Sequence, residues 1–324
     1  MIPRMTRPRS RLARWPGRLG AAFTGHLWTL APHVRARFWP TPLPPHDPWS
    51  VTVDDPLVGS VQLTGALHVP AGAETCVILV HGLGGNADAG YCVDAAAAAA
   101  RRGWASLRIF LRGADGQEAD LYHAGLASDL GAAIDSPQLQ RFERILIVGF
   151  SLGGHTALRY ALDPSPRVRA VTAVCSPLDL RASGVAIDRR RATPYRTHVL
   201  DQLKSAYRRV ALRQRIASLA TIDAVQKIRE WDSKLVVPRF GFDDVDDYYD
   251  RMAVGPHLAD LKVPSLYVGA PGDPMVPAAT VQPSLDAAGP DLMVKWADRS
   301  GHVGFADRSM IAQIVEWTGE RGRI

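Results

Sequence analysis

The sequence predicts an α/β architecture, a mainly parallel sheet covered on both faces by helices. Three observations carry this expectation. Short, almost wholly apolar runs recur from about residue 60 onward, as strands buried on both faces require. Helical stretches alternate with those runs, the rhythm of crossover connections. The chain's 324 residues, 47% hydrophobic and 22% charged, suffice for one large packed core and exclude a disordered or small disulfide-stapled chain.

Taken in order, Thr75–Val80 reads as a strand. The Ala-rich stretch from Asp88 to Arg102 reads as a helix stopped by Gly103. Trp104–Phe110 is the next strand and Leu126–Ile134 lies in a second helix. Arg144–Val148 is a further buried strand, followed at once by a glycine-flanked turn and the helix Leu152–Leu162. Val168–Val174, Pro264–Val268 and Leu292–Trp296 complete the strands, and Ile311–Thr318 belongs to a closing helix. Pro40, Pro42, Pro44, Pro45 and Pro48 keep one stretch extended and helix-free.

One segment breaks the rhythm. About ninety residues separate the strand ending near Cys175 from the one at Pro264, far more than an ordinary connection. Helical patterns at Arg196–Leu212, Leu219–Glu230 and Val245–Met252 predict a helical cap insertion over residues 181–260, lying across one end of the sheet. The expected organisation is a basic arm (1–23), one α/β domain that includes the insertion (24–318) and a short tail (319–324).

The net charge of +6 is local. Residues 1–40 hold eight Arg and no Lys, Asp or Glu, whereas the remaining chain has 30 basic against 32 acidic residues. A nearly neutral domain lacks the footprint of a nucleic-acid binder. The arm is expected to be solvated and to make peripheral contact with anionic membrane surfaces. Thr24, Gly25 and His26 interrupt the apolar run that a signal peptide would need, no run approaches a membrane span, and a cytoplasmic protein is expected. Cys76, Cys92 and Cys175 are too scattered for a zinc site or redox pair.

The chemistry centres on Gly149-Phe150-Ser151-Leu152-Gly153. A chain with 28 Gly and 17 Ser carries about 0.13 such G-x-S-x-G matches by chance. The apolar strand before it and the helix after it are the context of a nucleophile on a sharp strand-to-helix turn. His81-Gly82-Leu83-Gly84-Gly85 follows the Thr75–Val80 strand, and its glycines let the backbone approach a substrate. The N–H groups of Leu83 and Leu152 are the expected oxyanion donors. With a triad running Ser, acid, His along the chain, His302 in Ser300-Gly301-His302-Val303-Gly304 is the base that its position favours over His155, His198 and His257. The acid is Asp273, in Pro271-Gly272-Asp273-Pro274, or Asp179 after the strand before the insertion; Asp298 lies too close to His302.

These stretches, together with Gly25-His26-Leu27, Arg112-Gly113, Tyr122-His123-Ala124-Gly125, Ser176-Pro177-Leu178-Asp179 and Asp247-Tyr248-Tyr249, resemble the YheT-like α/β-hydrolases over residues 24–318. The resemblance implies the α/β-hydrolase fold and a triad of Ser151, Asp273 and His302. Gly272, Gly84 and His155 stand where relatives often have Asp, Glu and Asn, which bears on substrate preference. The expected protein is a serine hydrolase of carboxylic esters with a small-molecule ester substrate and neither metal nor organic cofactor. An acyltransferase using the same acyl-enzyme, or a non-catalytic binding module, are the other readings. His123 is expected only to pack. Apolar residues of the insertion (Val199, Leu200, Leu203, Ala211, Leu212, Ile216, Leu219) either pack it onto the core or line an acyl pocket.

Overall fold

The computed structural model describes residues 18–57, 59–116, 120–213 and 215–322, so most of the basic arm lies outside the described residues. The chain opens with helix α1 (Arg18–Phe38) and a hairpin, β1 (Asp47–Asp55) and β2 (Gly59–His68). There follow β3 (Thr75–Val80), α2 (Gly90–Arg101), β4 (Ala105–Phe110), α3 (Ser128–Ile134), β5 (Arg144–Phe150), α4 (Leu152–Tyr160) and β6 (Val168–Val174). Between β6 and the next long strand come α5 (Leu180–Ile187), α6 (Thr193–Arg213), α7 (Leu219–Asp223), α8 (Ile228–Trp231), α9 (Val237–Phe240) and α10 (Val245–Met252). The chain ends with β7 (Ser265–Gly269), α11 (Ala278–Asp286), β8 (Leu292–Trp296), the short pair β9 (Ser300–Gly301) and β10 (Gly304–Phe305), and α12 (Met310–Arg321).

The large sheet runs β1-β2-β4-β3-β5-β6-β7-β8. Pairs from β4 to β8 are parallel, while β1 and β2 pair antiparallel with each other and β2 antiparallel with β4. Alternation along β3 divides the core. Cys76, Ile78 and Val80 face the layer containing α3, α4 and the cap, whereas Val77 and Leu79 face α2 and α12. The alanine tract of α2 puts Ala95, Ala96, Ala98 and Ala99 against that second face, small side chains that let the helix lie close to the sheet. Both faces of β3 are therefore covered, which is why its six residues are all buried.

α1 was not expected from the sequence. It has Pro32 inside it and no acid in its first turn, so its local signals are poor. It is held by tertiary contact. A Cβ on Gly301 would lie 2.2 Å from the Gly25 carbonyl oxygen and 2.4 Å from the Thr29 nitrogen, so the bare glycine backbone lets α1 rest directly on the β9–β10 turn.

The cap is tied to the sheet by buried charge. Arg112, just after β4, donates two hydrogen bonds to Asp129 (2.8 and 2.7 Å), one to Asp55 (2.6 Å) and one to Asp120 (3.1 Å). Arg239 on α9 meets the same Asp120 at 2.8 Å. Burial works against the Asp55 carboxylate, but the Arg112 hydrogen bond, the Leu57 amide and the two guanidiniums outweigh it and hold its pKa at about 2.

Candidate active site

β5 ends at Phe150 and α4 starts at Leu152, so Ser151 alone makes the turn. It does so at φ 52°, ψ −121°, a backbone conformation that is costly for any residue with a Cβ. The surroundings hold it there. The Ser151 N–H donates to the Val174 carbonyl (2.8 Å), and the Ser151 carbonyl accepts from Gly154 and His155. A Cβ on Gly153 would lie 2.4 Å from the Val80 and His81 carbonyl oxygens, so the first turn of α4 passes the end of β3 only as glycine.

His302 sits in the turn between β9 and β10. Its Nε2 lies 2.9 Å from Ser151 Oγ and its Nδ1 2.8 Å from Asp273 Oδ2. Asp273 is buried in the loop after β7, and its Oδ1 accepts the N–H groups of Met275 (2.8 Å) and Val276 (2.9 Å). A carboxylate beside Nδ1 fixes the tautomer: Nδ1 carries the proton, and Nε2 is free to accept the serine hydroxyl. Of the competing residues, Asp179 caps α5 by accepting the Ala182 N–H (2.8 Å), and Asp298 is exposed. His155 is buried, with its ring nitrogens each 2.8 Å from the Pro177 and Met252 carbonyl oxygens.

Leu83 and Leu152 both line the cleft beside Ser151. Leu152 is the first residue of α4, so its N–H has no acceptor within the helix. The loop bearing Leu83 is pinned on either side. The Gly82 N–H donates to Tyr91 Oη (3.2 Å) and the Gly84 N–H to Tyr122 Oη (2.7 Å). His81 accepts the Leu111 N–H at Nε2 (3.1 Å), and burial pushes its pKa down to about 4.

Several of these supports escape sequence reading. Thr29 Oγ1 accepts the His302 N–H (2.8 Å) while donating to the Gly25 carbonyl (2.7 Å), which ties α1 to the turn that carries His302. Tyr91 and Tyr122 hold the loop that carries Leu83. Only Tyr122 carried a signal, as part of a family-like tetrapeptide without an assigned role. His123 in that tetrapeptide accepts the Gly125 N–H (3.0 Å) and packs among Phe240, Phe242 and Tyr248.

A cleft of about 760 Å³ opens over Ser151. Tyr195, His198 and Val199 of α6 line it, as do Trp231 and Tyr249 from the other cap helices. Tyr195 Oη lies 2.6 Å from His26 Nδ1, joining the cap to α1. Of the seven apolar insertion residues named above, only Val199 lines the cleft. Leu200, Leu203 and Ala211 are buried in packing, Ile216 packs against the core, and Leu212 and Leu219 are exposed. Asp232 is the one acid within the lining; it accepts the Tyr249 hydroxyl (2.7 Å), and burial pushes its pKa up to about 7. Among the described residues no three His, Cys, Asp or Glu side chains converge as a metal site would need, and no helix is long and apolar enough to cross a membrane.

Fold and sheet order define an α/β-hydrolase. Residues 75–197 match the family described as alpha/beta hydrolase fold. YheT of Escherichia coli, provisionally named an esterase, is 28% identical over 246 residues, which cover 72% of this chain and 72% of its own. A monoacylglycerol lipase of Saccharomyces cerevisiae is 22% identical over 205 residues, 58% of this chain and 44% of its own length. Among solved structures, the alpha/beta hydrolase GrgF of a Penicillium species superposes with a TM-score of 0.59 at 18% identity, across 86% of this chain and 100% of its own. The chain thus has the α/β-hydrolase fold and is similar in sequence to YheT.

Proposed function

We propose that the chain hydrolyses carboxylic esters through an acyl-enzyme on Ser151. The observation that carries this reading is the unbroken run of hydrogen-bonding distances from Ser151 Oγ through His302 to Asp273. His302 Nε2 takes the hydroxyl proton as Oγ attacks the acyl carbonyl carbon. The carbonyl π-electrons move onto oxygen, and the N–H groups of Leu83 and Leu152, both of which line the cleft, stabilise the charge in this reading. The C–O bond to the alcohol then breaks, and the imidazolium returns its proton to the departing alkoxide. Water repeats the sequence: His302 takes its proton, hydroxide adds to the acyl carbon, and Ser151 leaves with the proton restored. Asp273 stays ionised and stabilises the imidazolium.

The three free cysteines are buried, which suits a reducing cytoplasmic location. The test is labelling with a fluorophosphonate probe alongside hydrolysis of p-nitrophenyl butyrate. The native chain should do both. Ser151→Ala should lose the label and about 10⁴–10⁶ of the turnover while keeping its circular dichroism spectrum. Labelling or near-normal turnover by the variant would overturn the assignment.

A further inference from the structure

We infer that α1 docks the protein on an anionic lipid surface through its outer face, with the cleft opening at the edge of that contact. One side of α1, through Gly25 and Thr29, is pressed against the loops that carry Asp273 and His302. The other side is apolar. Phe23, Leu27, Leu30, Val34 and Phe38 follow one another at spacings of four, three, four and four residues, an arc of about 80° at helical pitch. All five are between 49% and 73% exposed, and Trp39 continues the patch. These six make up nearly half of the 14 large apolar side chains exposed among the described residues. An ordinary surface helix turns polar residues to that side.

Charge identifies what covers the stripe. Residues 1–40 carry eight Arg and no acid, the pairing of apolar face and cationic flank that binds at the interface of an anionic bilayer. A nucleic acid would leave the apolar stripe unused. Arg35 is already paired with Asp94 at 2.8 Å, but a second copy laid along the stripe would bring together two segments whose other seven Arg have no acid within residues 1–40 to offset them. Position supplies the last argument: Leu30 belongs to the stripe and also lines the cleft. A lipid surface against the stripe therefore borders the cleft. Given the ester hydrolysis proposed above, on which this clause rests, the substrates are esters drawn from that surface.

The experiment uses the full chain and a triple variant, Leu27→Gln, Val34→Gln and Phe38→Gln, which alters exposed positions and leaves Leu30 alone. Flotation is measured with vesicles of phosphatidylcholine and with vesicles one-third phosphatidylglycerol, at low and high salt. The native chain should float with the anionic vesicles, about tenfold less with the neutral ones or in high salt, and the variant about tenfold less than native. The variant should hydrolyse p-nitrophenyl butyrate in solution at the native rate and a vesicle-embedded ester about tenfold more slowly. No flotation with anionic vesicles, or equal flotation of the variant, overturns the docking. A native dimer on gel filtration that the variant turns into a monomer does the same, assigning the stripe to a second copy. Full activity of the variant on the embedded ester overturns the delivery of substrate. Flotation needs no turnover, so a failure of ester hydrolysis would leave the docking result readable by itself.

Discussion

Replacing Asp273 by Asn separates position from charge at the acid, and the structure fixes what the amide must do. Asp273 Oδ1 accepts two backbone N–H groups, from Met275 and Val276. An Asn that turned its NH₂ toward them would leave two donors facing a donor, at about 1–3 kcal/mol for each group left unsatisfied. The amide oxygen is therefore locked on that side, and the NH₂ points at His302 Nδ1, where Oδ2 now lies at 2.8 Å. Facing a donor, Nδ1 must be the unprotonated nitrogen, so Nε2 carries the hydrogen. Nε2–H then points at Ser151 Oγ and cannot take its proton. The wrong tautomer costs about 10⁴ in turnover, or about 5 kcal/mol in the barrier. Asp179→Asn keeps an equally good cap on α5, accepting the same Ala182 N–H, and should leave turnover within about twofold. The assay is kcat on p-nitrophenyl butyrate at pH 8, with thermal melts to show that both variants fold. A folded Asp273→Asn keeping more than about one-tenth of native kcat would refute the argument, as would a larger loss in Asp179→Asn.

Two further outcomes concern stability. Arg112→Met removes the cation shared by Asp55, Asp120 and Asp129, so buried Asp129 loses its guanidinium while Asp55 and Asp120 keep only Arg239; the variant should be about 3–5 kcal/mol less stable in urea, and a loss below about 1 kcal/mol would mean that the network is not a tie. The second outcome is acid sensitivity. His81 and His123 each accept a backbone N–H on a ring nitrogen, and burial lowers their pKa values from 6.5 to about 4 and about 3, with His155 pushed the same way. Below pH 6.5 the unfolded chain binds protons that the folded chain does not, so this stability is whole above pH 6.5 and drains as pH falls. Asp232, raised to about 7, opposes the trend because it is protonated in the folded chain while its unfolded counterpart, at 3.8, is ionised. Asp129 and Asp188, raised above 3.8 by burial, oppose the trend in the same sense. With three histidines lowered by burial, stability should fall from pH 6 to 4.5, by up to about 1.4 kcal/mol per pH unit for each histidine left unopposed. A melting temperature that stays flat over that range would contradict the balance.

What could be read from the sequence was local, and what could not was tertiary. β3, β5 and β6 are nearly continuous apolar runs, so strands covered on both faces were visible as such. The order of Ser151, Asp273 and His302, each at the end of a strand or in the loop after one, was readable because glycine and proline punctuate those loops. Thr29 gave no signal, since its hydroxyl serves an amide 273 residues away. α1 was hidden for a similar reason. Its proline and glycines are poor helix formers, and the glycines of the β9–β10 turn that make room for it lie at the other end of the chain. The role of the cap's apolar residues was likewise undecidable from periodicity, because packing and cleft-lining positions share one helix and differ only in what faces them; Val199 and Leu200 are neighbours with different surroundings.

The same packing constrains how the outer face of α1 can be used. Ser151, Cys175 and Val303 all adopt positive φ without being glycine, and such residues persist only where the surroundings over-determine them. Val303 directly follows His302, and α1 lies over that turn with Gly25 packed on the Gly272 carbonyl and Thr29 bonded to the His302 amide. Lifting α1 away would release the turn and leave a buried amide without its acceptor, at about 1–3 kcal/mol before any loss of packing. A lid-like opening of α1 would thus dismantle the base at the moment a substrate arrived. Lipid docking through Phe23, Leu27, Val34 and Phe38 asks for no such movement, because those side chains already point away from the domain. The helix can meet a bilayer with its inner face still seated, which keeps His302 within reach of Ser151 while the cleft is presented to the surface.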